Sequence, residues 1–176
     1  MRQIIPEHDN PVLRDVAAPV ALEAIQSREI QSLIKEMRAL LSKEEYGVAL
    51  AAPQVGEPVR LFIVSGRSLA RAAQDEDDDS EPTPLPDQVY INPELTSVSR
   101  KRIDKHEGCL SVRGKWGMVP RCEKATVRAY DENGKRFTRG ASGFLAHIFQ
   151  HEMDHLEGIL YTDKASELYD DEPKHS

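Results

Sequence analysis

Only two cysteines, Cys109 and Cys122, occur in 176 residues, too few for a disulfide framework. The opening MRQIIPEHDNPVLRD lacks the apolar run of a secretory signal, so both are expected to remain reduced. No later stretch reaches the ~20 apolar residues that a membrane-spanning helix needs. Aromatic residues amount to 6% of the chain, and no basic cluster is interleaved with them, which argues against nucleic-acid binding. Long apolar runs, export and nucleic acid are thus set aside. A soluble single domain with a thiol available for chemistry is what remains.

What the chain does have is acid. The net charge is -7, but it is unevenly placed. Asp75, Glu76, Asp77, Asp78, Asp79 and Glu81 lie in one run, and Asp170, Asp171 and Glu172 near the end. Without these nine carboxylates the body carries +2, so the acidity belongs to two segments that repel themselves and stay solvated.

Apolar periodicity divides the rest. Pro6 and Pro11 keep the opening extended or turning. Residues 22–41 repeat Ile25, Ile30, Leu33, Ile34, Met37, Leu40 and Leu41 on one face, which predicts an amphipathic helix ending before Gly47. Strands are expected at 60–64, 89–92, 95–102, 125–130 and 136–139, the last two joined by a hairpin through Asn133-Gly134. Residues 66–88, with the acidic run and Pro82, Pro84 and Pro86, read as a flexible acidic insertion, and 165–176 as a short acidic tail. A second helix runs through SGFLAHIFQHEMDHLEG, with Ser142 as cap and Gly158 as stop. Hairpin strands before and between two helices predict an α+β fold, with antiparallel sheets packed around a central helix.

That second helix carries the chemistry. In His151-Glu152-Met153-Asp154-His155 the histidines are four apart, so both imidazoles face one side and can share a cation. Glu152 projects beside them, where it can address a water without being a ligand. Two surface histidines can meet this spacing by accident, but Leu145, Ile148, Phe149 and Leu156 make this an apolar, buried helix. His147 cannot join the same ion together with His155, because eight residues of helix rise about 12 Å and metal–nitrogen bonds span only about 2 Å. A catalytic site of this type needs a third protein ligand. The residues leave this open between Cys109, which in isolation reads as a small buried hydrophobe, and an acid downstream: Glu157, Asp163 or Glu167.

Gly47-Val48-Ala49-Leu50-Ala51-Ala52-Pro53-Gln54, Glu107-Gly108-Cys109-Leu110-Ser111 and Gln150-His151-Glu152-Met153-Asp154-His155-Leu156 are three separated segments that together resemble the peptide deformylase family. Pro11-Val12-Leu13-Arg14 resembles the family's beginning, and the likeness spans roughly residues 4–163. The resemblance implies that Cys109, His151 and His155 hold one divalent metal, Fe2+ in the cell, with Ni2+, Co2+ or Zn2+ as substitutes. It further implies a hydrolase that removes the formyl group from N-formylmethionyl peptides, on nascent chains near the ribosome, in a bacterial-type cytoplasm, with organellar or phage origin open. Glu152 would be the general base, and Gln54 with the Leu110 N–H would stabilise the formyl oxygen. Val48, Ala49, Glu107 and Gly108 would hold the peptide, and Phe144, His147 and Ile148 would receive the methionine side chain. Arg121 and Asp154 would either orient the helix or form an ordinary surface pair.

The chain departs from the family at Ala49, where glycine is usual, at Arg113, where proline is usual, and at Trp116, where arginine is common. His147 stands where an aliphatic residue or arginine is common. Two other functions fit parts of the pattern: a metalloendopeptidase with an acidic third ligand, and a deformylase-like binding protein with weakened catalysis.

Overall fold

A computed structural model describes residues 1–74 and 77–170. The chain enters through short 3-10 turns at Glu7–Asp9 and Pro11–Arg14, consistent with prolines that forbid a regular helix. The first long helix, α1, is Arg28–Lys43. It begins later than apolar spacing alone predicts, because the Ser27 hydroxyl accepts from the Ile30 N–H and fixes the start there. Leu22–Ala24 forms a separate 3-10 turn.

The strands are β1 (Ala49–Ala51), β2 (Leu61–Val64), β3 (Gln88–Val98), β4 (Arg102–Cys109), β5 (Val112–Cys122), β6 (Lys124–Tyr130), β7 (Arg136–Ser142) and β8 (Glu167–Asp170). They form an antiparallel five-stranded sheet, β1-β2-β3-β6-β7, and an antiparallel three-stranded sheet, β4-β5-β8. The two strands expected at 89–92 and 95–102 are one strand, β3, with register shifts rather than a turn between them; it ends at Val98, and Arg102 already begins β4.

The larger sheet is buried on both faces at β1, β2 and the start of β3, and β2 shows how. Successive strand residues point to opposite sides. Phe62 and Val64 join Tyr90, Ile148, Phe149 and Met153 in one core cluster, while Leu61 and Ile63 join Leu33, Ile34 and Met37 of α1 in another. Phe62 and Tyr90 stack at 4.6 Å between ring centroids, and Phe149 meets Tyr90 edge-on at 5.3 Å. The helix α3 (Gly143–Leu156) therefore lies against one face of the sheet and α1 against the other. Met153 and Phe149 are turned into the core, so the opposite side of α3 faces the small sheet, where β5 touches it.

No strand is expected from local pattern over 103–122, and the reason is visible. Along β4 the residues alternate between exposed and half-buried, and charges occupy the outward positions, so no apolar run announces the strand. The excursion at 66–88 begins as a helix, α2 (Gly66–Ala72), capped by the Ser65 hydroxyl, which accepts from the Ser68 N–H. Its base is closed where the Gly66 N–H donates to Asp87 Oδ1 at 2.7 Å. A Cβ at Gly66 would fall 1.7 Å from the Leu85 carbonyl oxygen, so only glycine permits this closure. Asp75 and Glu76 lie outside the described residues. Of the tail expected at 165–176, Glu167–Asp170 pairs with β5 as β8, and residues 171–176 lie outside the described residues. Among the described residues no helix is long and apolar enough to cross a membrane.

Candidate metal centre and active site

Two structures converge on one point. The hairpin β4–β5 ends its first strand at Cys109, and α3 presents His151 and His155 from the adjacent helix face. Cys109 Sγ and the two imidazoles offer ligand atoms all within 4.8 Å of one another, close enough to share one ion. Cys109 Sγ and His155 Nε2 are 3.5 Å apart, and the two rings are edge-to-face with centroids at 4.9 Å.

The acidic alternatives for the third ligand are engaged elsewhere or exposed. Glu157 binds Arg60, Asp163 binds Arg14, and Glu167 lies exposed in β8.

The surroundings orient these side chains. Glu107 accepts from His151 Nδ1 at 3.0 Å, which turns Nε2 of that ring toward the cluster. Arg121 grips the same carboxylate in two places, Nε to Oε1 at 2.7 Å and Nη2 to Oε2 at 2.9 Å, and reaches Asp154 with Nη1 at 2.5 Å. These side chains are 3–13% exposed, so the Arg121–Asp154 contact is a buried tie between β5 and α3 and not a surface pair. Tyr161, which the sequence did not single out, stacks its ring on His151 at 6.1 Å.

Charge in this enclosure follows from burial and pairing. Burial acts to raise the Glu107 pKa, but His147, His151 and Arg121 prevail and hold it well below the usual carboxylate range. Burial acts to lower His151, yet hydrogen bonds that it donates to Cys109 and Glu107 carry it above the ordinary imidazole value. Burial, then the His151 charge, keep His155 below it. Glu152 is pushed up to about 7 by burial, helped by Glu107 and opposed by His151 and Arg121.

The donor set fits a cation. Glu152 is 3% exposed, and its Oε2 is buried without a hydrogen-bond partner, as is His155 Nδ1. A buried carboxylate oxygen left unpaired is costly, and it makes sense where a water or substrate completes the site. Thiolate and imidazole suit several first-row divalent ions.

Gln54 stands opposite. Its Oε1 accepts from the Ala51 N–H at 2.9 Å, which aims the amide nitrogen at Cys109 Sγ (3.4 Å) and Ser111 Oγ (3.3 Å). Ser111 is a contact that sequence reasoning missed, although it closes the same Cys-Leu-Ser segment. Leu110 occupies the two-residue turn between Cys109 and Val112.

A cavity of about 670 Å³ opens beside these groups, lined by Val48, Ala49, Phe144, His147, Ile148 and the β4 segment with Glu107 and Gly108. Each residue assigned to peptide or methionine binding therefore borders one space. The Glu107 carboxylate is fully engaged with Arg121, His147 and His151, so only its strand edge is left for a peptide. His147 Nε2 lies 2.5 Å from Glu107 Oε1.

The model of the polypeptide deformylase family matches residues 1–171. The chain is 39% identical over 157 residues to the chloroplastic peptide deformylase 1A of Solanum lycopersicum, covering 88% of this chain and 56% of that protein. It is 38% identical to the peptide deformylase of Leptospira biflexa over 88% of this chain and 83% of that one. Among solved structures, a class I type b peptide deformylase of Acinetobacter baumannii bound to Met-Ala-Ser superposes with a TM-score of 0.78 at 30% identity, over 93% of this chain and 98% of that one. One from Legionella pneumophila gives 0.76 at 35% identity, over 94% and 86%. With its sheets, its Cys-His-His cluster and its carboxylate all in place, the chain belongs to the polypeptide deformylase family.

Proposed function

We propose that this chain is a peptide deformylase, hydrolysing the formyl amide of N-formylmethionyl peptides to formate and a free amino terminus. The observation that carries this reading is the unpartnered Glu152 Oε2 beside the Cys109–His151–His155 cluster, at the wall of a cavity open to an extended peptide. A divalent cation held by those three residues would supply Lewis-acid polarisation and a water of lowered pKa. Fe2+ is the proposed ion.

The chain's own groups then have defined tasks. Glu152 accepts the proton of the attacking water and returns it to the departing amine nitrogen. Gln54 Nε2, already aimed at the site by its bond to Ala51, and the Leu110 N–H donate to the formyl oxygen as negative charge develops there. Glu107 keeps His151 in the tautomer that offers Nε2. β1 and β4 are edge strands of their respective sheets, so the outer edges at Ala49 and at Glu107–Gly108 border the cavity on either side and would pair with the peptide, while the Val48 carbonyl already accepts from the Ser65 N–H. Phe144, His147 and Ile148 enclose the first side chain, methionine. Nascent chains at the ribosome, in a cytoplasmic compartment, are the proposed substrates.

The test is metal content measured with formate release from formyl-Met-Ala-Ser. Stoichiometric divalent metal and formate production are expected. Cleavage of an unformylated protein with no formate release would favour an endopeptidase, and metal without either activity a binding protein.

A further inference from the structure

We infer that Trp116 is a specificity-determining residue, selecting aromatic or large apolar side chains in the two substrate positions that follow formyl-methionine. The inference rests on the deformylase reading above.

Trp116 is the sole tryptophan of the chain, and it belongs to none of the three core clusters. It is 37% exposed at the rim of the active-site cavity. Tyr46, Val48 and Phe144, all exposed, border the same opening, so large apolar side chains collect around one mouth rather than scattering over the surface. A ring in that setting contributes little to the core and is placed to meet whatever passes.

Its position is fixed by backbone on three strands. Ring carbons Cε3, Cζ3 and Cη2 stand 3.2–3.3 Å from where a Cβ on Gly108 would lie, and near-equal distances mean that the ring presents its face to that residue. Gly108 precedes the Cys109 ligand and belongs to the strand edge proposed to pair with the peptide. Trp116 is paired across β5–β8 with Tyr169, whose hydroxyl is bonded to His106 Nδ1 on β4. The backbone that carries the indole is therefore anchored between paired strands and the ring rests on Gly108, and a preorganised aromatic surface loses little freedom on binding. A peptide leading away from the formyl site, its methionine turned toward Phe144, His147 and Ile148, passes this ring with its next residues. An aromatic side chain there gains stacking of about three- to tenfold in affinity.

Charges share the rim. Arg71, Arg113 and Lys115 line the opening; Arg113 is tied to Glu44, and Lys115 pairs in register with Asp170. Selection for acidic peptides is the competing outcome.

The experiment compares metal-loaded enzyme on formyl-Met-Gly-Gly, formyl-Met-Phe-Gly, formyl-Met-Gly-Phe and formyl-Met-Glu-Gly. The expected result is a kcat/KM for at least one Phe peptide three- to tenfold above the Gly-Gly peptide. That ratio should fall to near one in Trp116→Ala and survive in Trp116→Phe. Because the emission of Trp116 is the only tryptophan signal, titration of wild type with the product Met-Phe-Gly should shift or quench it more than Met-Gly-Gly does. A ratio unchanged in Trp116→Ala, an emission equally indifferent to both peptides, or a preference for Glu instead would overturn the proposal. Absence of formate from every formyl peptide would overturn the deformylase reading, and the emission titration would still judge Trp116 by itself.

Discussion

Arg121 on β5 and Glu107 on β4 meet in a two-point pair, 2.7 and 2.9 Å, with side chains 4% and 3% exposed. The same carboxylate holds His151, and the same guanidinium holds Asp154 of α3, so one buried pair fixes both the ring and the helix that bear the metal site. Arg121→Met leaves Glu107 buried and without its two-point partner. A loss of about 3–5 kcal/mol is expected, because an uncompensated buried charge is costly. Denaturant titration of the metal-loaded proteins measures it; a loss below about 1 kcal/mol would show that the histidines alone suffice for Glu107.

Cys109→Ser replaces a thiolate with a hydroxyl that stays protonated near neutrality and is a poor anionic ligand. Metal retained after gel filtration is expected to fall at least tenfold, with activity following it. Stoichiometric metal and full formate release in the variant would exclude the thiolate from the site.

Glu152→Gln separates binding from chemistry. The side chain is buried but is not among the three grouped ligands, so metal content and fold are expected to persist. Turnover should drop roughly a hundredfold or more with loss of the base. Near-normal kcat in the variant would remove Glu152 from proton transfer.

Ala49→Gly tests the site's one crowded departure from the family. Ala49 pairs with Val64, is 5% exposed, and belongs to the core cluster of α3 while bordering the cavity. Removing its methyl is expected to cost about 0.5–1 kcal/mol of stability, as glycine does in a strand. It should raise kcat/KM on formyl-Met-Ala-Ser, by up to roughly tenfold if one methyl obstructs the peptide. Stability from thermal melting and efficiency from formate release report the two effects separately, and a lower efficiency would mean that the cavity is built around alanine.

Local pattern alone made several features legible. The four-residue spacing of His151 and His155 put them on one helix face, the 22–41 periodicity gave the amphipathic face of α1, and Asn133-Gly134 gave the hairpin, where Gly134 takes φ +80°. The family resemblance added Cys109 and Gln54, which spacing by itself left open. Tertiary structure decided what depends on long separations. Glu107 lies 44 residues from His151, and Arg121 lies 33 from Asp154, so no local periodicity links them. β4 escaped notice because its outward charges hide a strand whose partners are set by pairing with β5, and β8 because four exposed residues form a strand only against an existing edge. The sequence by itself determined which groups can bind a cation and which helix presents them, because helical geometry fixes neighbours three or four residues apart. Only the folded sheet decided how those groups are charged, oriented and covered, because burial and pairing come from side chains that the chain brings together across tens of residues.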